Sequence, residues 1–189
     1  MALEAVSGMG DEIPTHVFLQ AGVGSLAGAV SGFLADYYGD QKPVITIVEP
    51  NKADCIYRTA AARDGQLHFV TGALDTIMAG LACGEPNRIA WDVLRETAEF
   101  AVSCPDYVSA KGMRILGNPI GEDRRVISGE SGAVTSGLVA SLMTREDLKG
   151  IRDRIGLNRD SKILCFSTEG DTDRKNYRRI VWDGLYPSL

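Results

Sequence analysis

The sequence predicts an α/β fold, a three-layer sandwich built around a mostly parallel sheet. Short, near-continuous apolar runs at His16–Leu19, Pro43–Val48 and Lys162–Phe166 read as strands buried on both faces. Segments with helical spacing of apolar or small residues alternate with them. Glycine- and proline-marked turns separate the two kinds of segment. Such alternation places right-handed crossover helices on both sides of a parallel sheet.

Composition sets the outer bounds. A chain of 189 residues suits one sizeable α/β domain over residues 1–189, and 44% hydrophobic with 24% charged residues is ordinary for a globular protein. The net charge of −5 speaks against nucleic acid or an anionic membrane surface as partner. No apolar run nears the roughly 20 residues that span a bilayer. The opening MALEAVSGMGDE lacks the basic start and apolar core of a signal peptide, so a cytoplasmic setting is expected. Cys55, Cys83, Cys104 and Cys165 lie far apart without a CxxC pair, and only two histidines are present, which argues against zinc. Cys55 and Cys83 could meet if their segments pack together, although reducing compartments disfavour a disulfide.

In chain order, Met1 to Val6 looks like the last turns of a helix ending at Gly8 or Gly10, as if the chain begins inside an element. A strand, a glycine turn and a helix to about Tyr38 follow, then the strand Pro43–Val48 ending in Glu49-Pro50. Asp54 to Arg63 is expected as helix, Leu67 to Val70 as a short strand, and Thr76 to Cys83 as a small-residue helix. Asn87 to Val102 carries an amphipathic period through Ile89, Val93, Leu94, Ala98 and Phe100. Asp106–Val108 is expected as strand, and Ala110–Leu116 and Glu130–Met143 as helices. Thr144 is expected to cap a helix over Arg145–Ile155, because Glu146 and Asp147 fall in its first turn. Lys162–Phe166 is the last strand, and Asp171 or Thr172 is expected to cap a final helix over about Arg174–Asp183.

Candidate chemistry centres on THVFLQAGVGSLAGAV, Thr15 to Val30. Gly22 and Gly24 leave the backbone bare, and the first amides of the following helix have no internal partner. With the helix dipole they make an anion site suited to phosphate. An ordinary close-packed turn fits the same spacing. Beyond the strand ends, where open α/β sheets bind ligands, lie the loops Gln20–Ser25, Glu49–Asp54 and Ser167–Asp173. Gly22-x-Gly24-x-x-Ala27 also satisfies the permissive dinucleotide fingerprint, with Glu49 where a ribose-binding acid belongs. Two alternatives therefore stay open at this point: an NAD(P)-binding oxidoreductase domain, and a fold-keeping remnant without catalysis.

Five segments in order resemble the tryptophan-synthase-β-like, fold type II family of pyridoxal phosphate enzymes. QAGVGSLAGAV resembles its phosphate-holding glycine loop, and IVEP (Ile47–Pro50) its next strand end. TIMAGLACGEPN (Thr76–Asn87) resembles its T-x-A-x-G-x-A-x-x-x-P segment, ESGAV (Glu130–Val134) a helix start, and STEGDTD its Ser/Thr-Gly loop. The wording of ADCIYRTA, MAGLACGEPN, SAKGMRILGNP and FSTEGDTD is nearest to members that eliminate ammonia from 2,3-diaminopropionate. The resemblance implies a carbon–nitrogen lyase using pyridoxal 5'-phosphate on a small amino acid. Amides around Gly22, Val23, Gly24, Ser25 and Leu26 would hold the cofactor phosphate. Ser167 or Thr168 would pair with the pyridine nitrogen, a weaker partner than a carboxylate, which suits β-elimination. The family's Schiff-base lysine lies upstream of its glycine loop, so that lysine and the general base are expected upstream of Met1. Lys42, Lys52, Lys111, Lys149, Lys162 and Lys175 all lack its context, Lys111 being the least ordinary. The chain is thus expected to be an N-terminally truncated large domain, inactive alone, that self-associates as a homodimer or packs on a missing N-terminal half.

Overall fold

A computed structural model describes residues 1–188. Helix α1 (Ala2–Met9) leads to strand β1 (His16–Gln20), and Gly24 then opens helix α2 (Ser25–Tyr38). Strand β2 (Val44–Pro50), helix α3 (Cys55–Ala62) and helix α4 (Arg88–Thr97) follow. Next come strand β3 (Phe100–Cys104), helix α5 (Asp106–Gly117) and helix α6 (Glu130–Thr144). Helix α7 (Lys149–Ile155), strand β4 (Ile163–Cys165) and helix α8 (Arg174–Val181) complete the order.

The sheet runs β3-β2-β1-β4 with every pairing parallel, Gln20 opposite Val48 and Phe18 opposite Cys165. Alternate residues of the central strands enter two separate cores. Val17, Leu19, Ile45 and Ile47 pack with Ala27, Val30 and Leu34 of α2, Ile56 of α3 and Leu94 of α4. Phe18 and Val48 pack on the other side with Val108 of α5 and Val134, Leu138 and Leu142 of α6. This is the expected three-layer sandwich. Burial on both faces explains why β1 and β2 read as unbroken apolar runs instead of an alternation. No helix among the described residues is long and apolar enough to cross a membrane.

The order β3-β2-β1-β4 contains a switch point. From β1 the chain moves to β2 and β3 on one side, while β4 lies on the other. The loops leaving β1 and β4 therefore start side by side at the carboxyl edge, where open α/β sheets form their crevice.

Several local expectations change in the folded chain. The predicted helix Asn87–Val102 stops at Thr97, and Phe100–Cys104 becomes β3, because β2 needs a backbone partner for Thr46–Pro50. Glu99 makes the break: its N–H donates to Ile45 O at 3.0 Å, and its carboxylate accepts Ile45 N–H at 2.7 Å. Asp106–Val108, expected as strand, forms the first turn of α5 behind Pro105, with Asp106 favoured by the helix dipole. Leu67–Val70 is extended but pairs with no strand; its single ladder-like bond runs from Val70 N to Gly84 O at 2.8 Å. Thr76–Cys83 holds only one 3-10 turn, Ala79–Leu81, since Gly80 N–H is committed to Ser131 Oγ across the fold. Thr144 ends α6, donating to Ala140 O at 2.7 Å, and caps neither the 3-10 turn at Glu146–Leu148 nor α7 after it. The cap of α8 is Asp173, whose carboxylate accepts Asn176 N–H at 3.0 Å, not Asp171 or Thr172.

Candidate functional site

A cavity of about 360 Å³ opens at the switch point, lined by the turn from Gln20 to Leu26, by Gly80, Leu81 and Cys83, and by Ser131, Thr168 and Glu169. Four separate stretches of sequence meet there. Gly24 takes the left-handed conformation, φ +91°, and ends the strand-to-helix turn without any side-chain cap. A Cβ on Gly22 would stand 3.2 Å from Leu81 Cα and 3.3 Å from Cys83 Sγ, so the turn fits tightly against the Ala79–Leu81 segment.

The amides of this turn are unspent. Ala21 N–H pairs with Val48 O, and the helical ladder resumes with Gly28 N–H on Gly24 O at 2.7 Å. Between them, the N–H groups of Gly22, Val23, Gly24, Ser25, Leu26 and Ala27 carry no hydrogen bond among the described residues. Aligned donors at the positive end of a 14-residue helix are chemically suited to an anion.

The opposite wall is organised by charge and by paired hydroxyls. Glu169 Oε2 accepts Ser131 N–H at 2.7 Å, capping α6 from the loop after β4, and Ser131 Oγ accepts Gly80 N–H at 3.1 Å. Gln20 donates from Nε2 to Phe166 O at 2.8 Å and to Thr168 Oγ1 at 2.9 Å. Of the two hydroxyls singled out in sequence, Thr168 lines this cavity. Ser167 lies within 2.9 Å of Ser128 Oγ and lines a separate hollow beside α6 and β4.

Glu49 lies elsewhere. Its carboxylate is fully buried and accepts Ile56 N–H at 2.9 Å and Tyr57 N–H at 2.6 Å, closing the N-terminus of α3. Burial pushes its pKa up to about 8 against those two hydrogen bonds. A carboxylate spent this way holds no ribose, so the dinucleotide reading is overturned. Cys55 and Cys83 are free thiols, and both approach Gly22: Cys55 Sγ lies 3.6 Å from Gly22 O. Burial and the neighbouring Glu49 raise the Cys55 thiol to about 12, so it stays protonated.

No lysine lines the cavity. Lys42 pairs with Glu99, Lys149 with Asp153 and Lys162 with Glu12. Lys111 donates to Thr144 Oγ1 at 3.3 Å; partial burial and then Arg145 hold it below the ordinary lysine value. Sequence reasoning placed Glu169 in a ligand-side loop and Gly80, Leu81, Cys83 and Ser131 in segments resembling the family, but singled out none of them as lining residues. The available signal was the small-residue run Ala79-Gly80, which admits another backbone at close range.

The pattern of the family described as pyridoxal-phosphate dependent enzyme matches residues 1–155. The diaminopropionate ammonia-lyase of Escherichia coli K12 is 51% identical over 185 residues, 98% of this chain and 46% of its own length. That of Salmonella typhimurium LT2 is 45% identical over 184 residues, again 46% of its length. The crystal structure of the Escherichia coli enzyme with an aminoacrylate-PLP azomethine reaction intermediate superposes with a TM-score of 0.89 at 49% identity, covering 98% of this chain and 47% of that one. The chain thus spans about half the length of the curated relatives it matches.

Proposed function

This chain belongs to the family of pyridoxal-phosphate dependent enzymes, and from that premise we propose that it forms the phosphate-binding part of an ammonia-lyase acting on 2,3-diaminopropionate. With water added, that reaction gives pyruvate and two ammonia molecules. The observation that carries the reading is the row of unspent amides from Gly22 to Leu26 along one wall of the cavity. A phosphate ester supplies the acceptors those donors lack.

The residues present fit the group. Gly22 and Gly24 let the turn sit where it does, since a Cβ on Gly22 would crowd Leu81 Cα beside the cavity and one on Gly24 would crowd Ile56 and Leu94 in the core, each at 3.2 Å. Amides of Gly22, Val23, Gly24, Ser25 and Leu26 hold the phosphate, and Thr168 offers a hydroxyl to the pyridine nitrogen in preference to Ser167. When bound, pyridoxal 5'-phosphate supplies an electron sink conjugated to the amino acid's α-carbon. No lysine among the described residues lines the cavity, so in this reading the Schiff-base lysine and the general base are supplied from outside these residues. Residues 1–189 are one α/β domain in this reading, cytoplasmic, and paired with a second copy or with an N-terminal half.

Equilibrium titration with pyridoxine 5'-phosphate tests the site, because it has the ring and the phosphate but no aldehyde to react with surface lysines. Saturable binding, displaced by inorganic phosphate, is expected. Steady pyruvate release from 2,3-diaminopropionate by this chain alone would overturn the division of labour, and absence of binding would overturn the site.

A further inference from the structure

Gln20 is a buried amide at the C-terminal end of the central strand, 2% exposed, and it lines the cavity. Its nitrogen is identified by chemistry, since the Phe166 carbonyl 2.8 Å away can only accept. Both hydrogens of that nitrogen are then committed, one to Phe166 O and one to Thr168 Oγ1 at 2.9 Å. The carboxamide oxygen has no partner among the described residues. A buried amide left half-satisfied is costly, and a packing role alone would be met by an apolar side chain.

Resting on the pyridoxal phosphate reading above, we infer that Gln20 is a positioning residue that sets the direction of the Thr168 hydroxyl. A threonine hydroxyl has one hydrogen and can turn it toward any acceptor. Because Thr168 Oγ1 accepts from Gln20, its own hydrogen points away from that bond, and it donates to none of the described residues, while Thr168 lines the cavity. The hydroxyl therefore presents a donor to the cavity. A ring nitrogen facing it is held as an acceptor, without a proton. Gln20 thus selects, through Thr168, the unprotonated form of the pyridine ring.

The test compares binding of pyridoxine 5'-phosphate with its ring-N-methylated form, which cannot accept a hydrogen bond, and follows the ring ¹⁵N chemical shift of labelled ligand. The wild-type chain is expected to prefer the unmethylated form and to show an unprotonated, hydrogen-bonded ring nitrogen. Gln20→Leu should weaken that preference by roughly threefold to tenfold, the worth of one hydrogen bond, and move the shift. Thr168→Val should lose the preference to the same extent, Thr168→Ser should restore it, and adding Gln20→Leu to Thr168→Val should change it no further. Unchanged preference and shift in a folded Gln20→Leu chain overturn the inference while leaving the phosphate site standing. If Gln20→Leu does not fold, wild-type preference retained by Thr168→Val overturns it, because Gln20 then has nothing to orient. Failure of the wild-type chain to bind either ligand overturns the cofactor site itself, and the inference with it.

Discussion

Gly137 of α6 lies so close to Val108 of α5 that a Cβ on Gly137 would stand 1.9 Å from the Val108 carbonyl oxygen. The relation is reciprocal, since a Cβ on Gly112 of α5 would stand 2.0 Å from Ala133 O. Two helices packed backbone to backbone leave no side chain free to yield. The pairing also fixes where α6 begins, and hence where Ser131 meets Gly80 at the cavity.

Replacing Gly137 by alanine is therefore expected to cost about 3 kcal/mol or more, by forcing the α5–α6 pair apart. Gly150→Ala is the contrast, because nothing lies within 4 Å of its missing Cβ in α7. That change should stabilise by about 0.5–1 kcal/mol through helix propensity. Urea midpoints of the two variants measure both; equal effects would show that the close approach does not set the packing.

Glu49 makes stability depend on pH with a definite sign. Its folded pKa, about 8, lies above its ordinary value of 4.5, so the folded chain keeps a proton that the unfolded chain has lost. The contribution is fully present below about pH 4.5 and is lost as pH rises toward 8. Unfolding free energy should fall across that window by an amount on the order of a few kcal/mol, and Glu49→Gln should flatten the fall. Denaturant titrations between pH 5 and 8 read it directly.

Asp173 caps α8 through Asn176 N–H at 3.0 Å. Asp173→Ala should cost about 1 kcal/mol, while Asp171→Ala and Thr172→Ala should each stay within about 0.5 kcal/mol. Thermal unfolding of the three variants decides which residue carries the cap.

Gly24 holds φ +91°, and a Cβ there would meet Ile56 Cδ1 and Leu94 Cδ1 at 3.2 Å. Gly24→Ala should weaken pyridoxine 5'-phosphate binding by about tenfold or more, as the turn shifts and its amides lose their common aim. Gly39 also sits at positive φ, +53°, with nothing within 4 Å. Gly39→Ala should lower stability without changing that affinity. Calorimetric titration of both separates strain at the cradle from strain in general.

Much of the architecture was legible because it rests on local rules. The runs at His16–Leu19 and Pro43–Val48 are apolar because a central parallel strand is buried on both faces; Lys162–Phe166 also holds a strand, but β4 (Ile163–Cys165) lies at the sheet edge and is only half-buried, contrary to the expectation of burial on both faces. The glycine turn before Ser25 was equally readable, because bare backbone and a helix start are sequence properties. Less legible were elements whose state is set by a distant partner. Phe100–Cys104 continues a helical period in sequence, yet it becomes strand because β2 offers an open edge. The cap of α6 comes from Glu169, 38 residues from Ser131, a relation no local signal carries.

By itself the sequence determined the alternation of strands and helices, the glycine turn between β1 and α2, and membership in a pyridoxal-phosphate dependent family, all written in runs of neighbouring residues. Only the tertiary structure decided that Thr168 and not Ser167 faces the cavity, that Glu49 closes α3, and that Gln20 reaches across to the loop after β4. The physical reason is that strand order is a non-local choice. Setting β4 beside β1 brings residues 146 and 148 positions apart within hydrogen-bond distance, and periodicity along one segment carries no trace of that neighbour.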